Sequence, residues 1–146
     1  MSLAFVFPGQ GSQSVGMLAS LAAAEPVVQQ TFAEASAVLG YDLWALCQQG
    51  PEADLGSTER TQPAMLAAGV ATWRTWLRHG GPRPVAMAGH SLGEYTALVC
   101  SGALEFAAAV DLVRFRGQVM QEAVPLGQGA MAAVLGLDDP QIVEAC

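Results

Sequence analysis

The 146-residue chain contains no lysine: its six basic side chains are all arginine and stand against 13 carboxylates, for a net charge of −7. A nucleic-acid surface needs a basic stripe to displace counterions, and no such stripe exists here. An acidic partner could dock only on a local arginine patch. Charged residues make up 13% of the chain and hydrophobic ones 52%, so the composition of a disordered segment is also missing. The length suffices for one domain with a real core. Cysteine is scarce, and Cys47, Cys100 and Cys146 are odd in number and widely spaced. They fit neither a disulfide framework nor a metal motif. Cys100 follows an apolar helical stretch, which suits a buried thiol better than a nucleophile. The start, Met1-Ser2-Leu3-Ala4-Phe5, has no basic region and no long apolar run, so no signal peptide is expected. No uninterrupted apolar stretch of about 18 residues exists to span a membrane. A cytoplasmic, reducing setting is the default expectation.

What is present is a series of short apolar segments punctuated by glycine and proline. Leu3 to Phe7 is a continuous apolar run stopped by Pro8, as in a buried parallel strand. The loop Gly9-Gln10-Gly11-Ser12-Gln13 follows at the strand's carboxyl end, where open α/β sheets place ligands. It is not a phosphate loop, because no G-K-[ST] follows, and an ordinary turn is the plainer alternative. Pro26 is placed to start a helix with Val28, Phe32, Ala35 and Leu39 on one face and Gly40 as its stop. An apolar patch over Leu43-Trp44-Ala45-Leu46 ends at Gly50-Pro51. Glu52 to Thr61 reads as a loop. A second helix is predicted from Pro63, with Leu66, Val70, Trp73 and Leu77 inward, ending at His79-Gly80-Gly81-Pro82. His79 is expected in solvent. A long helix from Leu104 to about Glu122 would bury Phe106, Val110, Val113 and Met120. Arg114 and Arg116 lie on it, and a solvated surface is the usual fate of such arginines. Pro125 to Gly129 forms a glycine-rich joint. Ala130 to Leu137 then reads as a strand, and Asp139-Pro140 as the cap and first residue of another helix.

Between the apolar run Val85-Ala86-Met87-Ala88 and the helix-like stretch Glu94 to Cys100 stands Gly89-His90-Ser91-Leu92-Gly93. A strand, a tight turn with serine at its apex and a departing helix need small residues flanking the serine, where backbones approach closely. The serine hydroxyl is then exposed, and the amide of Leu92 points where an oxyanion would form. His90 adjoins the serine, but neighbouring side chains diverge in such a turn. A structural or pocket-lining role fits His90 better than general base.

Taken together, Phe7-Pro8-Gly9-Gln10-Gly11-Ser12-Gln13 and Gly89-His90-Ser91-Leu92-Gly93-Glu94-Tyr95 resemble the malonyl-CoA:acyl-carrier-protein transacylase family. So do Gln62-Pro63-Ala64, Arg114-Phe115-Arg116-Gly117, Met120 to Pro125 and Gly129 to Leu137. Separate blocks in the right order cover essentially the whole chain. The first begins almost at Met1, which resembles the free-standing bacterial fatty-acid synthesis enzyme more than a module of a polyketide synthase. The resemblance implies an α/β fold: an α/β-hydrolase-like large subdomain with a parallel sheet and a serine nucleophile elbow, carrying a smaller ferredoxin-like subdomain. Residues 1–125 would be the amino-terminal part of the large subdomain, and 126–146 the incomplete beginning of the small one.

The family moves malonyl from malonyl-CoA to the phosphopantetheine thiol of acyl carrier protein through a covalent acyl-serine. The resemblance therefore implies Ser91 as nucleophile, the backbone amides of Gln10 and Leu92 as oxyanion hole, and Arg116 as the partner of the malonyl carboxylate. Arg116 is preferred to Arg114 because Arg-Gly is the family arrangement. Gln62 is a weaker candidate, with substrate contact and helix N-capping as its alternatives. No metal and no permanently bound cofactor are implied; malonyl-CoA enters as substrate. The family's catalytic histidine lies far downstream of the serine, beyond Cys146, as do residues that choose malonyl over methylmalonyl. The chain thus resembles an amino-terminal portion with little activity alone. Carrier proteins are usually acidic, so Arg74, Arg78 and Arg83 form a candidate docking patch, or else scattered surface charge. Two rivals remain at this level: a serine esterase or lipase, which shares the elbow, and a non-catalytic fragment.

Overall fold

A computed structural model describes residues 2–124, 128, 134 and 136–145. In order they form β1 (Ala4–Phe7), α1 (Ala19–Ala24), α2 (Pro26–Leu39), α3 (Leu43–Gln49), α4 (Glu52–Gly56) and α5 (Thr58–Arg78). Then follow β2 (Ala86–Gly89), α6 (Leu92–Ser101), α7 (Phe106–Ala123) and α8 (Asp139–Ala145). β1 and β2 pair in parallel, Ala4 opposite Ala86 and Phe7 opposite Gly89, so both carboxyl ends open at the same edge. The class is α/β: a small parallel sheet dressed by many helices.

Several predicted features hold. Pro26 is the first residue of α2, and Gly40 ends it in the left-handed region at φ 77°. Val28, Phe32 and Ala35 are fully buried, with Leu39 packed at the margin. On α5, Leu66, Val70 and Trp73 are buried and Leu77 partly so. α7 begins at Phe106 with Glu105 as N-cap, whose carboxylate accepts from the Ala108 amide and is held below the usual carboxylate range by that bond.

Other expectations need correction. β1 is not a buried strand: Phe7 is buried, but Ala4 and Val6 face outward and Val6 is 77% exposed. The sheet has two strands among the described residues, so one of its faces is uncovered. The stretch Glu52 to Thr61 is not a loop but α4 and the first turn of α5. Its polarity marks solvent-facing helix starts, where Glu52, Asp54 and Glu59 complement the helix dipoles while Leu55 and Thr61 are buried. Pro63 therefore lies inside α5 rather than at its start. Lacking an N–H, it leaves the Glu59 carbonyl without its i+4 donor. Met120 is exposed, and Gly117 takes the inward place on that part of α7. The last helix is capped by Asp138, one residue earlier than predicted: Asp138 Oδ1 accepts the Gln141 amide and Gln141 Oε1 accepts the Asp138 amide. The strand predicted over Ala130 to Leu137 and the joint at Pro125 to Gly129 fall largely outside the described residues.

Cys47 and Cys100 are both free and buried, and burial pushes each thiol up to about 12. Folding thus favours the protonated thiols, so stability falls as pH rises past the ordinary thiol range. We predict slow alkylation of both at pH 8 in the native chain and full alkylation in urea, read by peptide mass mapping at these two sites.

A close backbone contact joins β1 to α6. A Cβ on Gly93 would stand 2.2 Å from the Phe7 carbonyl oxygen and 3.0 Å from that of Pro8. Both obstacles are backbone, so neither can rotate away. Gly93→Ala should lower stability by about 3 kcal/mol in urea unfolding. A variant within experimental error of the parent would refute this contact.

Candidate active site

Ser91 sits between β2 and α6, immediately past the carboxyl end of the sheet. Its backbone has φ 54° and ψ −110°, a conformation that a non-glycine residue adopts only when its surroundings enforce it. The enforcement is visible. A Cβ at Gly89 would meet the Gly93 carbonyl carbon at 2.0 Å, so the turn closes only around glycine. The Ser91 amide donates to Glu94 Oε1 at 3.2 Å, and the Gly93 amide donates to the His90 carbonyl at 2.9 Å. Strand, serine and helix are thereby fixed as one unit.

The serine oxygen is not left to solvent. Arg116 Nη2 donates to Ser91 Oγ at 2.9 Å, and Arg116 Nη1 donates to Gln62 Oε1 at 2.7 Å. Gln62 is fully buried, and its Nε2 lies 3.4 Å from Met120 Sδ. The guanidinium also lies over the Tyr95 ring, 5.6 Å from its centroid. Three elements meet here: α5 brings Gln62, α7 brings Arg116 and Met120, and the turn into α6 brings Ser91 and Tyr95. They can meet because α7 crosses α5 at Gly117. A Cβ there would stand 2.6 Å from the Glu59 Cα and 2.8 Å from the Thr58 carbonyl oxygen.

The sequence-predicted residues are distributed as follows. Ser91, Arg116 and Gln62 come together. Gln62 is no helix cap, since α5 begins four residues before it and its amide is engaged side chain to side chain. Arg114 is not at the serine; it pairs with Asp111 at 2.6 Å. Gln10 is exposed near α5, its Nε2 donating to Thr58 Oγ1 at 3.2 Å. Among the described residues, neither the Gln10 nor the Leu92 amide donates to another protein group. Leu92 opens α6, where helix amides have no intrahelical acceptor. His90 is exposed and lies against Gly9, at which a Cβ would stand 3.6 Å from His90 Nδ1. Among the described residues it makes no hydrogen bond to Ser91. His79 is exposed but not idle, with Nε2 2.6 Å from Glu25 Oε1.

The arginine patch is largely committed elsewhere. Arg74 makes a two-pronged pair with Glu34 at 2.9 Å on both arms, and Arg78 lies 3.9 Å from Glu25. Arg83 lines a separate cleft of about 650 Å³ along β2, which neither Ser91 nor Arg116 borders. Sequence reasoning missed Thr58, Tyr95 and Met120 as neighbours of the site. Tyr95 stood four residues past Ser91 in the first turn of the predicted helix, and that spacing could have flagged it.

What the arrangement can do chemically follows from its parts. A serine oxygen lies at a strained apex, two uncommitted amides stand on the flanking segments, and a planar fork of N–H groups reaches the same oxygen. Such a set suits acyl transfer with a carboxylate-bearing acyl group.

The chain is 66% identical over 143 residues to the malonyl CoA-acyl carrier protein transacylase of Escherichia coli strain K12. That alignment covers 98% of this chain and 46% of the relative, so the chain spans about half the length of the curated relatives it matches. An acyl carrier protein S-malonyltransferase structure from Vibrio cholerae superposes with TM-score 0.92 at 62% identity, covering 100% of this chain and 48% of that one. A malonyl-transacylase solved in complex with a type II PKS acyl-carrier protein superposes with TM-score 0.94 at 64% identity, covering 100% and 47%. Residues 4–146 match the family model described as the acyl transferase domain, and the chain belongs to that family.

Proposed function

We propose that this chain carries the nucleophile, oxyanion-hole and acyl-anchoring part of a malonyl-CoA:acyl-carrier-protein transacylase. The observation that carries this reading is the Arg116 fork, with one arm 2.9 Å from Ser91 Oγ and the other on buried Gln62. A neutral ester has nothing to pair with that guanidinium, which disfavours an esterase. Residues 1–125 are read as part of an α/β-hydrolase-like subdomain with Ser91 at its nucleophile elbow. Residues 126–146 are read as the start of a ferredoxin-like one.

In the proposed reaction the malonyl carboxylate pairs with Arg116 and sets the thioester carbonyl over Ser91. The Ser91 oxygen bonds to the carbonyl carbon, and the Gln10 and Leu92 amides hold the oxyanion. The carbon–sulfur bond then breaks, and coenzyme A leaves as the thiol, taking the proton that Ser91 gave up. The phosphopantetheine thiol of acyl carrier protein attacks the acyl-serine and releases the Ser91 hydroxyl. No permanently bound cofactor enters this sequence. The cytoplasm is the proposed setting, in keeping with two free buried thiols. The general base is proposed to come from outside these residues, because His79 is engaged by Glu25 and His90 makes no bond to Ser91 among the described residues. Acylation by this chain alone is therefore slow.

Intact-mass measurement after addition of malonyl-CoA tests the assignment. The expected result is one malonyl group per chain, lost in Ser91→Ala; no adduct, or one that persists in Ser91→Ala, overturns it. A second measurement addresses the anchor. Arg116→Ala should slow malonylation about 100-fold or more, since its carboxylate partner would be left unpaired, and Arg116→Lys should not restore the rate. Equal acylation of Arg116→Ala and the parent would remove Arg116 from the site.

A further inference from the structure

We infer that Thr58 is a positioning residue that sets the Gln10 amide of the oxyanion hole, an inference that rests on the acyl-transfer reading above. The loop after β1 is held at three points. Gly9 lies against the His90 carbonyl, at which a Cβ would be 3.0 Å from the oxygen. The Gly11 amide, on a residue with φ 102°, turns back to Gln13 Oε1 at 2.8 Å. Between these two points stands Gln10, whose side chain donates to Thr58 Oγ1 at 3.2 Å across 48 residues of sequence. That is its one side-chain tie among the described residues. With the side chain held, rotation of the Gly9–Gln10–Gly11 backbone is restricted on both sides of the Gln10 amide.

Thr58 is suited to this task by where α5 starts. It is the first helical residue, and the preceding Ser57 spends its hydroxyl on the Asp54 carbonyl at 2.8 Å instead of capping α5. The Thr58 backbone is fixed in turn, because its carbonyl oxygen is one of the atoms on which Gly117 of α7 rests. Arg116 adjoins Gly117, and Gln62 lies one turn along α5 from Thr58. The first two turns of α5 thus serve both halves of the site: Thr58 holds the oxyanion side and Gln62 holds the carboxylate side. A donor displaced from the developing charge loses most of its value, and loss of one such donor typically costs about 10²–10³ in rate. Loosening the donor without deleting it should cost less, about 10-fold.

The test uses the 146-residue chain with Thr58→Val, which keeps the branched shape and removes the hydroxyl, and Thr58→Ser, which restores it. The ¹⁵N order parameter of the Gln10 amide should be about 0.85 in the parent and in Thr58→Ser, and below about 0.6 in Thr58→Val. The limiting rate of Ser91 malonylation should fall about 10-fold in Thr58→Val, with the half-saturating malonyl-CoA concentration unchanged and the melting temperature preserved. Adding Thr58→Val to Gln10→Met, which lacks the same bond, should cause no further loss. An unchanged Gln10 amide in Thr58→Val overturns the proposal whether or not the chain is malonylated. A loosened amide with an unchanged malonylation rate also overturns it. A loosened amide in a chain whose parent form is never malonylated supports the positioning role and overturns the acyl-transfer reading instead.

Discussion

Missing Cβ atoms at three backbone crossings set the geometry from which the rest follows. Gly89 and Gly93 let β2, the Ser91 turn and α6 fold tightly against the end of β1, and Gly117 lets α7 rest on the first turn of α5. A single methyl group at any of these points would meet backbone atoms closer than van der Waals contact allows. Side chains of ordinary length then suffice to connect the elements. An arginine on α7 reaches the serine at the start of α6, and a glutamine after β1 reaches the start of α5. Without these approaches the same residues would be present and out of reach of one another.

Much of this was legible in the residues. The periodicity of Val28, Phe32 and Ala35, and of Leu66, Val70 and Trp73, located two helices and their buried faces, because burial follows the helical repeat. The turn around Ser91 was readable from its flanking glycines. The stretch Glu52 to Thr61 misled because its polarity came from solvent-facing helix starts, and polarity alone does not separate an exposed turn of helix from a loop. Pro63 misled in the same way: proline favours the first helical position but is tolerated deeper where other packing holds the turn. Met120 fitted the apolar repeat of its helix, but the place toward the core went to Gly117, which a hydrophobic pattern does not count as a contact. The Gln10–Thr58 bond spans 48 residues and leaves no trace in local spacing. Nothing short of the fold reveals it.

Charge is used sparingly and locally. With six arginines and no lysine, most guanidinium groups have a specific neighbour or ring: Arg74 with Glu34, Arg78 near Glu25, Arg114 with Asp111, Arg60 over Tyr41 and Arg116 over Tyr95. Arginine suits this use because its planar fork fixes direction as well as charge. Of these, Arg116 is the one whose polar partners among the described residues are neutral: a buried amide oxygen and a serine oxygen. A guanidinium held by neutral acceptors has its positive charge uncompensated at close range, so it remains attractive to an incoming carboxylate in a way that Arg74 and Arg114 do not.

The same bond bears on reactivity under the acyl-transfer reading. While Arg116 Nη2 donates to Ser91 Oγ, that oxygen's lone-pair density is drawn toward a cation, and its nucleophilicity is lowered. A carboxylate is a stronger acceptor than a hydroxyl oxygen, so a malonyl group that engages the fork competes for that N–H. Pairing the substrate and releasing the nucleophile would then be one event, driven by the exchange of a neutral acceptor for an anionic one. Gln62 keeps the guanidinium plane in place during that exchange, because its own oxygen holds the other arm and its position inside α5 is fully buried. An acyl group without a carboxylate would leave Arg116 where it is, still bonded to the atom that has to attack.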